Sequence, residues 1–161
     1  MSGNESLSVL KAHIEKHIQL LKELKTELDN ALEQDVKLIG KTKRSAAMVA
    51  SIIESYYTCG ETIFFRISQF FENSIADDRW HKDLLEKMVI HIKDLRPRVI
   101  SDEVYNDLLE LLRFRHFKRY YFQLSYDWER LEEIIKRTNR LHPALLQNLG
   151  EYLAYLESLQ E

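Results

Sequence analysis

Leu7, Leu10, Ile14, Leu21, Leu24, Leu28 and Leu32 recur at steps of three, four and seven residues, which is the spacing of one apolar face on an α-helix. Ser6 or Ser8 stands at the head of that pattern as a cap candidate. The pattern stops at Gly40 and the polar stretch GKTKRS, after which Thr42 or Ser45 can start a second helix carrying Val49, Ile52, Ile53, Tyr56, Ile63, Ile67 and Phe70. A polar connection, ENSIADDR, precedes a third apolar series, Trp80, Leu84, Leu85, Met88, Val89 and Ile92. This third helix is predicted to end before RPRVISDE, because Pro97 biases Arg96 away from helical geometry. Ser101 or Asp102 then caps a fourth helix containing Leu108, Leu109, Leu111 and Leu112, with Glu103 in the first turn complementing the helix dipole. Asp127 is a further cap candidate. Beyond it Leu131, Ile134, Ile135, Leu141, Leu145, Leu149, Leu153 and Leu156 predict a last helix in which Pro143 allows a kink or a break. No strand alternation or internal repeat occurs, so the expected architecture is all-α, an up-and-down helical bundle of about five helices forming one domain over residues 1–161.

Composition sharpens this picture. Four glycines and two prolines in 161 residues leave few places where a helix must stop. The single cysteine, Cys59, excludes an intramolecular disulfide and a cysteine-based zinc cluster, which suits a reducing, cytoplasmic setting. The first ten residues have no basic start followed by an apolar block, and no apolar run reaches 18 residues, so neither secretion nor membrane insertion is expected. A net charge of −3 and a pI near 6.1 exclude a globally basic nucleic-acid binder. Any contact with RNA or DNA must then be local.

Three segments carry candidate chemistry. His13 and His17 lie one helical turn apart in HIEKH, a spacing that suits a shared metal, but the glutamate does not directly follow the first histidine and no third ligand stands out. A solvated helix face explains them better, and no metal is expected. Cys59 sits inside an apolar helical run, where a free cysteine behaves as a small hydrophobe. With no glycine-rich phosphate loop or nucleophile elbow, no cofactor is expected either. The segment LLRFRHFKRYYFQLSYDW, Leu111 to Trp128, is different: Arg113, Arg115, Lys118 and Arg119 fall within seven residues, with His116 among them. Residues four apart are neighbours on a helix, which places Arg115 beside Arg119 and His116 beside Tyr120. Such a basic patch suits a phosphodiester held by guanidinium forks beside an imidazole or a phenol. The alternative is structural, with Phe114, Phe117, Tyr121 and Phe122 filling the core while the arginines pair with acidic residues of a neighbouring helix.

The blocks YYTCGETIFFRISQFFENSIADDRWHKDLLEKM, RPRVISDEVYNDLLELLRFRHFKRYY and YDWERLEEII, in that order, resemble the toxin-type (HepT-like) members of the HEPN family over Tyr56 to Ile135. The WHKDLL and LLRFRH blocks are rather specific. The resemblance implies a dimerising helical bundle that cuts RNA without a metal, paired with a minimal nucleotidyltransferase antitoxin. It also implies an arginine, four residues and a histidine as the cutting motif, with a tyrosine two residues further on that the antitoxin modifies. Projected onto this chain, the arginine is Arg115, the histidine position holds Tyr120 and the tyrosine position holds Phe122. A phenol, with a reference pKa near 10 against about 6.5 for imidazole, is a much poorer general base at neutral pH.

Three readings follow. In the first, the protein is a ribonuclease with Arg115 and Arg119 on the phosphate, His116 near Tyr120 as the acid–base group, and Arg113 and Lys118 on the RNA backbone. With Phe122 lacking a hydroxyl, Tyr121 becomes the candidate for modification. The second is a degenerate member that still binds RNA or its nucleotidyltransferase but does not cut. The third is a dimeric helical interaction module in which the basic stretch packs and pairs. The expected partners of a toxin-side protein are a second copy, the antitoxin and RNA.

Overall fold

Thr42 and Ser45 open the central helix of the fold by exchanging hydrogen bonds. Thr42 Oγ1 accepts from the Ser45 N–H at 3.1 Å, and Ser45 Oγ accepts from the Thr42 N–H at 2.8 Å. Two N–H groups that have no acceptor within the helix are satisfied in this way. The computed structural model describes the backbone of residues 3–72, 80–120 and 128–160, and the side chains of residues 6–72, 81–116 and 128–160. Its elements are α1 (Gly3–Asn30), running through a π-helical turn (Ala31–Asp35) into the closing turn α2 (Val36–Ile39), then α3 (Lys43–Glu72), α4 (Trp80–Met88), α5 (Asp102–Tyr120) and α6 (Trp128–Ser158). Counting the first three as one rod, five helical rods make an all-α bundle, and no strand occurs among the described residues.

α3 is the hub, packing against α1, α4, α5 and α6. The core is drawn from the predicted faces, with Phe70 left exposed: Leu7, Leu10, Ile14, Leu21 and Leu28 of α1 meet Val49, Ile53, Tyr56, Ile63 and Ile67 of α3, and Leu131, Leu141, Leu145, Leu149 and Leu156 of α6 are buried with them. Gly40 ends the first rod at φ +83°, a backbone conformation in which a Cβ would be strained.

Several boundaries differ from the sequence expectation. α1 begins at Gly3, ahead of both Ser6 and Ser8, so neither serine is the residue before the helix. The third rod stops at Met88, short of Val89 and Ile92. Its last carbonyls turn to other partners: the Met88 carbonyl accepts from the Val99 and Ile100 N–H groups at 2.8 and 3.2 Å, and the Lys87 carbonyl accepts from Arg96 Nη2 at 3.2 Å. Arg96, whose side chain is fully buried, also donates to Glu72 Oε1 at 2.6 Å and to the carbonyls of Ile90 and Pro97. One guanidinium thus ties the end of α3 to the α4–α5 connection. α6 passes through Pro143 without a break. Pro143 and Asn139, whose carbonyl loses its helical donor, both lie at the surface. Asp127 lies outside the described residues.

Of the two cap candidates for α5, Ser101 is the one used: its Oγ accepts from the Val104 N–H at 3.2 Å. Ser101→Ala is expected to lower stability by about 1 kcal/mol, read as a shift in the urea midpoint at unchanged slope.

Candidate functional site

On α3, Tyr57, Glu61, Phe64 and Ser68 are spaced by four, three and four residues and all are buried, so a carboxylate sits on the core-facing stripe of the helix. A buried carboxylate needs hydrogen-bonding partners to stay charged. Three are present. Arg115 of α5 reaches Glu61 Oε1 through an Nη at 3.3 Å, and His81 of α4 meets Glu61 Oε2 through Nδ1 at 2.8 Å. The Tyr57 hydroxyl makes the third bond; burial first, then the Glu61 charge and this hydrogen bond, push the phenol well above its ordinary range, so it stays protonated and donates. The Arg115 guanidinium also lies over the Tyr57 ring, 5.6 Å from its centroid.

The arrangement gathers three helices on one carboxylate. Arg115 and Glu61 have side chains only 8% and 6% exposed, whereas His81 is 32% exposed and reaches the surface. Arg115 Nε is buried with no hydrogen-bond partner among the described residues. Its guanidinium therefore holds a donor in reserve beside a carboxylate and an imidazole.

Of the basic residues expected to form one patch, Arg113 and Arg115 face different sides of α5. Arg113 is exposed and paired with Glu110 one turn back at 2.5 Å, while Arg115, two residues on and about 200° around the helix, points inward to Glu61. His116 is exposed and does not share the buried surroundings of Arg115. Phe114 is in the core, as the structural alternative expects. Lys118, Arg119 and Tyr120 belong to α5, but their side chains lie outside the described residues, and Tyr121 and Phe122 lie outside them altogether. Glu61, His81 and Tyr57 were not singled out in the sequence. The available signal was a glutamate at helical spacing from Tyr57 and Phe64 in an otherwise apolar face.

The other candidates have structural roles. The ring of His17 is turned back on its own helix, Nδ1 donating to the His13 carbonyl at 2.8 Å, and no group of three or more metal-ligating residues occurs among the described residues. Cys59 is buried, with its thiol pushed up to about 11 by desolvation, so it is not a nucleophile at neutral pH. A groove of about 560 Å³ between α1 and α3 lies beside it, but Glu23, Glu27 and Glu54 line that groove and would repel phosphate. The only arginine followed after four residues by a histidine is the pair Arg137 and His142 in α6. Arg137 pairs with Asp107 and Glu133, and His142 meets the Tyr56 hydroxyl through Nδ1 at 2.8 Å. Five residues on a helix turn side chains about 140° apart, and these two serve different neighbours.

The model of one protein family, described as HepT-like protein, matches residues 48–156. The chain belongs to the HepT-like family. The match takes in most of α3 through nearly all of α6, with Tyr57, Glu61, His81 and Arg115 inside it, and it encloses the segment on which the HEPN resemblance rests. Neither a curated protein nor a solved structure matches this HepT-like chain. No helix among its described residues is long and apolar enough to cross a membrane.

Proposed function

We propose that this HepT-like protein is the toxin side of a toxin–antitoxin pair and cuts RNA without a metal. The observation that carries the reading is Arg115, the arginine at which the family motif falls, held by Glu61 with its Nε buried and unpartnered among the described residues. A guanidinium stays charged at any physiological pH and can offer parallel hydrogen bonds to a phosphate that gains charge as it is attacked. In this reading Arg119 shares the phosphate with Arg115, and Arg113 and Lys118 of the same helix serve the RNA backbone. A second copy meeting the first about a two-fold axis would bring two such stretches to one cleft and double the positive potential there. A minimal nucleotidyltransferase is the antitoxin partner; with Phe122 unable to be modified, it acts by masking the site or through Tyr121.

A second reading, a module that binds RNA or the nucleotidyltransferase without cutting, is favoured by one specific feature. Tyr120 and Phe122 stand where the family motif has its histidine and tyrosine. Incubation of the purified protein with total RNA in excess chelator separates the two. Fragments that appear in proportion to protein support the nuclease. Intact RNA retained in a gel-shift complex supports the binding module.

A further inference from the structure

The reaction needs a proton acceptor poised near neutral pH, and the family's histidine position holds Tyr120. His116 is an imidazole in the same stretch, but it is exposed and lies one residue, about 100° around the helix, from the inward-facing Arg115. His81 differs in each respect. It comes from α4, a separate helix, and is held by the same carboxylate that holds Arg115, the two residues taking the two oxygens of Glu61. Its side chain is 32% exposed, while those of its two partners lie buried.

The hydrogen bond also fixes the tautomer. A carboxylate oxygen can only accept, so Nδ1 of His81 is the donor to Glu61 Oε2. Nε2 is then the basic nitrogen of the ring. A carboxylate behind an imidazole in this way both orients the ring and stabilises the imidazolium formed when it accepts a proton. With His81 neutral, Glu61 and Arg115 cancel; with His81 protonated, the cluster carries one net positive charge beside a phosphate that is gaining negative charge.

We propose that His81, anchored on Glu61 beside Arg115, is the general base that replaces the family's missing histidine in this protein. The proposal rests on the ribonuclease reading above and names the residue that makes it chemically workable. His81 Nε2 takes the proton of the ribose 2′-hydroxyl as O2′ bonds to phosphorus. The P–O5′ bond breaks, the 5′-oxygen takes a proton from water, and a 2′,3′-cyclic phosphate and a 5′-hydroxyl result. His81 then returns its proton to the hydroxide left in solution. Arg115 holds the non-bridging oxygens throughout. Glu61 is a positioning residue, acting through His81 and Arg115.

The test compares full-length parent, His81→Asn, His81→Ala, Glu61→Gln and His116→Ala on one short RNA in chelator. Asparagine places an amide N–H near the position of Nδ1, so His81→Asn keeps the bond to Glu61 but cannot accept a proton. Its kcat is expected to fall roughly a hundredfold or more with KM within about threefold of the parent. Added imidazole is expected to restore part of the cleavage by His81→Ala, which a merely structural histidine would not show. Glu61→Gln cannot both accept from Nδ1 and accept from Arg115, and its loss is expected in kcat as well. A parent that cuts while His81→Asn cuts equally well overturns this proposal alone, as does loss at His116→Ala with none at His81→Asn. A parent that cuts no RNA overturns the nuclease reading and this proposal together.

Discussion

Glu61→Ala is expected to destabilise the protein by about 3–5 kcal/mol, the usual cost of removing one partner from a buried ion pair. The substitution strands the Arg115 guanidinium at 8% exposure without its counter-charge, removes the acceptor of the Tyr57 hydroxyl and releases His81 from α3. Three helices lose their common tie. For a domain of this length the loss corresponds to a fall in Tm on the order of 10 °C, measured by circular dichroism alongside urea titration. The double variant Glu61→Met with Arg115→Met is expected to recover much of the stability, because no charge is left buried without a partner, while remaining unable to cut RNA. That pair of results separates the structural contribution of the cluster from its chemistry. A Glu61→Ala protein within about 1 kcal/mol of the parent would mean that Arg115 finds another acceptor once Glu61 is gone.

Arg115→Lys is expected to reduce RNA cleavage by roughly a hundredfold to a thousandfold, the range seen when one charge-stabilising group is lost from a transition state. The substitution keeps the positive charge opposite Glu61 and the stacking of an alkyl stem on Tyr57, so the fold should survive. It lacks the planar fork, and with it the second donor that Arg115 Nε keeps without a partner among the described residues. The effect belongs in kcat, with RNA affinity in a filter-binding assay changed much less. An Arg115→Lys protein cutting within about threefold of the parent would reduce Arg115 to a core ion pair.

The helical order was legible because local signals and burial agree. The apolar faces of α1, α3 and α6 recur at helical spacing, and Thr42 and Ser101 cap their helices as residues of their type do. The end of α4 was not legible. It depends on Arg96, which takes the Lys87 carbonyl from nine residues away and joins it to Glu72, a contact no local pattern encodes. Arg115 itself was found through its neighbours in LLRFRHFKRYY, but the side it faces was not. Aromatic and basic residues alternate there around the whole helix, so periodicity assigns no face. Glu61 and His81 lie 54 and 34 residues before Arg115 in the chain, and only the packing of α3, α4 and α5 brings the three together. Glu61 left a trace as a charge within an apolar stripe, and His81 lay in the WHKDLL block without being singled out.

The ends of the RNA fragments give the most direct test of the account. Purified protein with a defined oligoribonucleotide in excess chelator is expected to yield a 2′,3′-cyclic phosphate on one fragment and a 5′-hydroxyl on the other, by mass spectrometry, because the attacking oxygen is the RNA's own 2′-hydroxyl. The same RNA with a 2′-deoxy substitution at the cut site is expected to remain whole. Fragments bearing 5′-phosphate, cleavage of the deoxy-substituted strand, or no cleavage by the parent protein would contradict it.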